Sequence, residues 1–170
     1  MYRQDKIQFS DHDEYYKTID RVYQSLIAGE PSWLANMANL AALLFDQMDD
    51  INWVGFYLWN GEELVLGPFQ GKPACVRIAK GKGVCGTAAA RMEPIVVADV
   101  HEFPGHIACD AASRSEVVIP IRDGDRLLGV LDIDSPITSR FSFADAEGLS
   151  VLLTRLVEGS DWSVALLNQP

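Results

Sequence analysis

The chain has 170 residues, of which 48% are hydrophobic and 22% charged, and this balance is typical of a globular protein. Its formal net charge of −10 argues against binding of nucleic acid or anionic lipid through a basic surface. No segment approaches the roughly 18 consecutive apolar residues of a membrane span, and the charged first residues lack the apolar core of a signal peptide. We therefore expect a cytoplasmic protein with one domain over residues 1–170, and neither nucleic acid nor a membrane as a partner.

Two amphipathic helices are predicted at the start of the chain. Apolar residues recur at three- or four-residue steps over residues 11–28, and Gly29 follows as a stop signal. A second, wider apolar stripe covers residues 33–48 after the candidate N-cap Ser32. The two helices should pack against each other.

Strands follow these helices. Residues 52–59 are rich in aromatic and branched side chains, and the Asn60-Gly61 turn after them predicts a hairpin with residues 63–67. A short helix is predicted over 84–92, and a last helix begins at Ser142. The remaining strand candidates are 74–79, 95–98, 116–122 and 126–134. This order predicts an α+β fold with a central antiparallel sheet of about six strands and the N- and C-terminal helices packed on one face.

Alternation within residues 115–135 separates two unlike faces of the last hairpin. The even-numbered positions form one face, which would carry the three carboxylates of Glu116, Asp132 and Asp134. The other face should lie under the helices and consists of Val117, Ile119, Ile121, Leu127, Leu131 and Ile133.

Loop length fixes the register of this hairpin. A two-residue Asp-Gly turn would set Glu116 opposite Leu131 and split the apolar set between the faces. A three-residue loop over 123–125 pairs Glu116 with Asp132 and keeps the apolar residues together. We predict the three-residue loop.

Like charges opposite each other destabilise a sheet, so the three acids require a cation, a ligand ammonium or exposure to solvent. Solvated acids at an exposed sheet edge are one interpretation. Val118 and Val130 lie on the acidic face, which favours a partly covered pocket in which crowding keeps one acid protonated. A ligand amine would neutralise such a pocket.

The three cysteines, Cys75, Cys85 and Cys109, are ten and twenty-four residues apart, unlike the close pairs of zinc ribbons or of Cys-x-x-Cys motifs. A metal site that adds His106 is disfavoured by this spacing, and we expect neither a metal nor a cofactor. Cys85 lies in a segment of small residues. It is either a reactive thiol or a buried cysteine that only packs as a small hydrophobic side chain. Cys109 lies in a polar loop, where a thiol is exposed enough to react; His106 would favour its thiolate and Asp110 would oppose it.

Three rings, those of Trp53, Tyr57 and Trp59, share one face of the first predicted strand. Simple packing of a strand is the common reason for such a pattern. Aromatic walls beside carboxylates would also suit a small ligand that carries a methyl or thioether end and an amine.

The combined pattern resembles the GAF-type free methionine-R-sulfoxide reductases. The resemblance covers nearly the whole chain and includes all three cysteines and all three acids. Its motifs are Asn52-Trp-Val-Gly-Phe-Tyr, Gly67-Pro-Phe-Gln-Gly-Lys-Pro-Ala-Cys75, Gly81-Lys-Gly-Val-Cys85-Gly, Cys109, Ser115-Glu116-Val-Val-Ile-Pro and Gly129-Val-Leu-Asp132-Ile-Asp134-Ser.

The resemblance implies a reaction and roles for the thiols. Free L-methionine-R-sulfoxide would be reduced to L-methionine, with Cys109 as the nucleophile that attacks the sulfoxide sulfur. Cys75 would resolve the product as a disulfide, and Cys85 would be a secondary thiol. A thioredoxin-like reductant would restore the enzyme, since a sulfenic acid condensed to a disulfide is reversed by thiol exchange.

The resemblance also implies a single GAF-like domain, a substrate site and a homodimer. Glu116, Asp132 and Asp134 would bind the substrate amine and assist proton delivery to the sulfoxide oxygen, while Trp53 and Tyr57 would surround the methyl group. Two other functions fit the fold or the thiols: a non-catalytic GAF-type sensor of a small ligand, which we expect to need an output domain, and a thiol-based metal or redox sensor.

Overall fold

The computed structural model describes Lys6, residues 11–105 and residues 111–163. Within these residues the helices are α1 (His12–Ile27), α2 (Trp33–Gln47), α3 (Gly83–Arg91) and α4 (Phe143–Glu158), with a 3-10 turn at Val100–Glu102. The strands are β1 (Trp53–Trp59), β2 (Glu63–Gly71), β3 (Arg77–Ala79), β4 (Ile95–Val97), β5 (Ser115–Asp123) and β6 (Arg126–Ser135). Among the described helices, none combines the length and the apolar character that crossing a bilayer requires.

Side-chain caps set the starts of three helices. Asp11 accepts a hydrogen bond from the backbone N–H of Asp13, and Ser32 accepts one from Ala35. Ser142 and Asp145 form a reciprocal capping box at the start of α4. These caps confirm the predicted helix starts, because each satisfies a backbone donor that the first turn leaves unpaired.

The described strands form one antiparallel sheet in the order β3-β2-β1-β6-β5-β4. α2 packs on β1 and β2, α4 packs on β4 and β5, and α1 packs on both of these helices. This confirms the predicted α+β fold with the N- and C-terminal helices on one face, which we call the helix face. β2 extends four residues beyond its predicted end, and β3 is only the last part of the predicted 74–79 strand.

The opposite face, which we call the site face, is covered by α3. This helix contacts β3, β5 and β6. A Cβ at Gly86 would collide with the carbonyl oxygen of Ala79, so the glycine allows α3 to approach β3 closely. Both faces of the central strands are therefore buried. Alternation in β5 and β6 separates the two faces, but it does not show that α3 covers the acidic one.

The predicted register of the β5–β6 hairpin is wrong. Its turn has two residues, Gly124 and Asp125, between the paired Asp123 and Arg126, and Gly124 has φ +59°. Without further change this turn would set Glu116 opposite Ile133. A bulge at Leu128 adds one residue to β6, so that Glu116 lies opposite Asp134 instead.

The bulge also exchanges two leucines between the faces. Leu127, predicted under the helices, packs on the site face, and Leu128 takes its place in the helix-face core. The other predicted core positions are correct. The hairpin residues in the helix-face core are Val117, Ile119, Ile121, Leu128, Leu131 and Ile133.

Candidate active site on the site face

Two buried acids and one partly exposed acid lie side by side on β5 and β6. Glu116 pairs with Asp134 across the strands, and Asp132 pairs with Val118, one step along the same face. Glu116 is 5% exposed and Asp132 is 7% exposed, whereas Asp134 is half-buried. The three predicted acids thus share one face, but the directly opposed pair is Glu116 and Asp134.

α3 brings a thiol to these acids. Cys85 lies in the first turn of α3, is 4% exposed and is a free cysteine. Its Sγ lies 3.9 Å from Oε1 of Glu116, within range of a weak S–H donor. Ligand atoms of Cys85, Glu116 and Asp132 all lie within 4.8 Å of one another. The sequence places Cys85 on a helix but gives no signal that this helix covers the acids.

Burial dominates the electrostatics of this cluster. It raises the pKa of Glu116 well above its ordinary value, and the negative charges of Asp132 and Asp134 raise it further. Burial raises the pKa of Asp132 to about 6, against hydrogen bonds from Cys85 and Glu116 that lower it. The pKa of the Cys85 thiol is raised by burial and then by both carboxylates. Burial therefore favours the protonated form of Glu116 and keeps the Cys85 thiol protonated at neutral pH.

One carboxylate oxygen of the cluster lacks a partner. Oδ1 of Asp132 is fully buried and accepts no hydrogen bond from any described group. A buried acceptor left in this state costs about 1–3 kcal/mol. A ligand that donates a hydrogen bond or carries positive charge would satisfy it.

An aromatic stack adjoins the acids. Trp53 of β1 pairs with Asp134 of β6. The Trp53 ring stacks on those of Tyr57 and Phe69, with ring centroids 5.9 Å and 5.4 Å apart. Its indole N–H donates to the carbonyl oxygen of Lys72 at 3.0 Å. The predicted pairing of Trp53 and Tyr57 on the acid-bearing face is correct.

Gly55 allows the Trp53 ring to lie flat across β1. A Cβ at Gly55 would sit 2.5 Å from this ring, closer than real side chains approach. Gly55 also pairs with Asp132, so the missing side chain leaves space beside the acid. Phe69, the third ring of the stack, was not predicted, because the predicted second strand ended at residue 67 and Phe69 lies in the part of β2 beyond it.

A small cavity of about 20 Å³ lies between the rings and the acids. This volume holds about one water molecule. Residues 72–74, in the connection between β2 and β3, line one side of it. The lining consists of Trp53, Tyr57, Lys72, Pro73, Ala74, Asp132 and Asp134.

The remaining predicted residues divide between described and undescribed parts of the chain. Cys75 directly follows the cavity-lining residues 72–74, packs against the site-face core and is disulfide-bonded. Trp59 packs at the edge of the same core, with the ammonium of Lys80 5.2 Å from its ring. Cys109, His106 and Asp110 lie outside the described residues, so the predicted nucleophile stays a prediction.

Comparisons with known proteins agree with this arrangement. The GAF domain family model matches residues 34–158. The chain is 54% identical to the free methionine-R-sulfoxide reductase of Escherichia coli strain K12 over 143 residues, which is 84% of this chain and 87% of that protein.

Two solved structures have the same fold. The reduced form of fRMsr of Staphylococcus aureus superposes with a TM-score of 0.82 at 53% identity, over 85% of this chain and 94% of that one. The free methionine-R-sulfoxide reductase from Neisseria meningitidis in complex with its substrate superposes with a TM-score of 0.87 at 42% identity, over 94% of this chain and 95% of that one.

Proposed function

Because the chain belongs to the GAF-type free methionine-R-sulfoxide reductases, we propose that it reduces free L-methionine-R-sulfoxide to L-methionine by thiol chemistry. The observation that carries this proposal is the orphaned, buried oxygen of Asp132 beside the stacked rings of Trp53 and Tyr57. This pairing of an anionic site with an apolar wall matches a small zwitterion that has a methyl-sulfur end.

The acids bind the substrate ammonium. Asp132 Oδ1 accepts one of its hydrogen bonds, and the carboxylate of Asp134 opposite Trp53 adds negative charge at the partly exposed side of the cavity. A charge-assisted hydrogen bond in a buried site is stronger than a neutral one. The methyl group lies against Trp53 and Tyr57, whose rings are fixed by stacking and by the bond to Lys72.

Glu116 supplies the proton that the reaction consumes. A sulfoxide oxygen leaves sulfur only after protonation, and general acids contribute about 10²–10⁴-fold to such steps. Burial and the neighbouring acids raise the pKa of Glu116, which favours the proton-carrying form that a general acid requires. Cys85, also protonated, donates towards Glu116 and acts as a secondary thiol that steadies the cluster.

Cys109 is the nucleophile of the proposed cycle. Its thiolate attacks the sulfoxide sulfur, the S–O bond breaks, and the oxygen ends on Cys109 as a sulfenic acid while methionine leaves. The thiol of Cys75 then displaces this oxygen as water and forms a Cys75–Cys109 disulfide. A thioredoxin-like dithiol then reduces this disulfide by thiol–disulfide exchange and is itself oxidised to a disulfide. The disulfide-bonded state of Cys75 supports its role as the resolving thiol. A homodimer and a cytoplasmic location remain predictions.

The two epimers of the free amino acid test this proposal. With a thioredoxin system present, the R epimer should be consumed and the S epimer left. Cys109→Ser should abolish turnover, whereas Cys75→Ser should allow one turnover and then stall. Normal turnover by Cys109→Ser would refute the assigned nucleophile, and tight binding of the R epimer without consumption by the reduced wild type would favour a non-catalytic sensor.

A further inference from the structure

Three potential metal ligands converge in the buried cluster from three different elements. Sγ of Cys85 comes from α3, a carboxylate oxygen of Glu116 from β5, and one of Asp132 from β6. Sγ of Cys85 lies 3.9 Å from Oε1 of Glu116. A tetrahedral zinc ion with Zn–S near 2.3 Å and Zn–O near 2.0 Å sets its sulfur and oxygen ligands roughly 3.5 Å apart. The Cys85–Glu116 pair is therefore within a few tenths of an ångström of this spacing, and the ligand atom of Asp132 lies within 4.8 Å of both.

Two independent features point to a cation at this place. The Oδ1 atom of Asp132 is buried, and none of the described groups donates a hydrogen bond to it. The cavity of about 20 Å³ is lined by the same Asp132 and has room for about one water molecule. The cluster thus offers three protein ligands and a water-sized space beside one of them.

The ligand set selects among cations. One thiolate with two carboxylates suits zinc, cobalt or cadmium, which accept sulfur in a four-coordinate site. Calcium requires six to eight oxygen ligands, and magnesium requires a near-octahedral oxygen shell, neither of which this pocket offers. The spacing of the three cysteines gave no hint of this set, because two of its members are carboxylates on a different part of the chain.

We propose that Cys85, Glu116 and Asp132 form a site for a thiophilic divalent cation such as zinc, and that the bound cation excludes the substrate. Zinc binding forms a Zn–S bond, and the thiol proton and the carboxyl proton leave to solvent without any change of oxidation state. The exclusion rests on the proposed function, since the cation and the substrate ammonium both require Asp132. The cation site itself does not depend on turnover.

Cobalt spectroscopy tests the site without any assay of activity. A Cys75→Ser/Cys109→Ser variant leaves Cys85 as the sole thiol, so a thiolate-to-cobalt charge-transfer band can arise only from that residue. We expect one equivalent of cobalt to produce the band and one equivalent of zinc to abolish it. Adding Cys85→Ala should remove the band, whereas Asp125→Asn, at an exposed turn acid, should leave it unchanged.

Absence of the band from folded protein, or its persistence after Cys85→Ala, would overturn the site. If the double variant does not fold, the oxidised wild type, in which Cys75 is disulfide-bonded, replaces it, and the same band is expected to disappear with Cys85→Ala.

Calorimetry on the folded double variant tests the exclusion. Saturating zinc should weaken binding of free L-methionine-R-sulfoxide at least tenfold, and unchanged affinity would overturn the competition. Failure of the sulfoxide to bind even without zinc would count against the proposed function, while the cobalt band would still decide the metal site.

Discussion

The two faces of the β5–β6 hairpin are both buried, yet they carry opposite chemistry. On the helix face, Leu131 and Ile133 pack fully into an apolar core. On the site face, Glu116 and Asp132 come from the same two strands and are almost as buried. The helix face stabilises the fold, because removing apolar surface from water is favourable. The buried acids of the site face oppose it, because removing carboxylates from water is unfavourable.

The difference between buried apolar and buried acidic side chains gives a reason for the cavity beside the acids. The free protein bears the unfavourable desolvation of these acids, and the proposed binding of the substrate ammonium would relieve it. Variants on one face should therefore affect activity and those on the other should affect stability. The following substitutions test that separation.

The largest effect is expected from Asp132→Asn. Loss of the charged ammonium acceptor should lower kcat/KM for free methionine-R-sulfoxide by about 1,000-fold, because removing one partner of a buried charge pair costs about 2–5 kcal/mol. The variant should fold, since an amide fills the same volume. Steady-state kinetics measures this, with Asp125→Asn in the exposed turn as the matched control. Comparable losses in both variants would remove the distinction between the site and an ordinary surface acid.

A substitution one residue away should do the reverse. Leu131→Ala removes a side chain that is 0% exposed in the helix-face core, and it should lower the free energy of unfolding by about 3 kcal/mol. The folded fraction should keep its kcat/KM. Urea unfolding measures the change, and Val151→Ala, at a position that is 47% exposed, should change it by less than about 0.5 kcal/mol. A loss of activity without a loss of stability would contradict the assignment of faces.

The pH dependence of stability gives a smaller effect. The pKa of Asp132 rises from 3.8 to about 6 on folding, so the folded state binds the proton more tightly than the unfolded state. The contribution of Asp132 to stability is therefore largest below pH about 4 and is lost as the pH rises through about 6. Asp132→Asn should lack this loss and be more stable than the wild type above pH 6, by at most about 3 kcal/mol. Parallel stability curves for the two proteins between pH 4 and pH 8 would show that the carboxyl is not strained by burial.

The smallest effect concerns a helix end far from the acids. Ser142→Ala removes the capping box of α4 and should cost about 1 kcal/mol of stability without changing kcat/KM. Ser32→Ala should cost less, because the Ser32 cap hydrogen bond is longer, 3.4 Å, and lacks the reciprocal bond. Thermal unfolding compares the two. A change in kcat/KM for either variant would couple the helix face to the reaction and weaken the separation.

Local signals predicted most of the fold. Helix periodicity and caps at Ser32 and Ser142 fixed three helices, because these signals act within a few residues. Alternation predicted that Glu116, Asp132 and Asp134 share a face, because a strand reverses side-chain direction at every residue.

The errors arise from long-range or compensated geometry. The register of the last hairpin depends on a bulge at Leu128. Loop length and alternation do not predict this bulge. The observed two-residue turn with its bulge keeps the three acids on one face, as the predicted three-residue loop would also have done. The approach of Cys85 to Glu116 and of Phe69 to Trp53 depends on packing between distant segments, which periodicity does not encode. The single-domain prediction and the role of Cys109 stay predictions.

The amine of the substrate gives the most direct test of the central claim, that buried carboxylates recognise a free amino acid. N-acetyl-L-methionine-R-sulfoxide keeps the sulfoxide and loses the ammonium. Its kcat/KM should be about 100-fold or more below that of the free amino acid, because an unpaired buried charge partner costs about 2–5 kcal/mol. Equal kcat/KM values for the two compounds would contradict the claim.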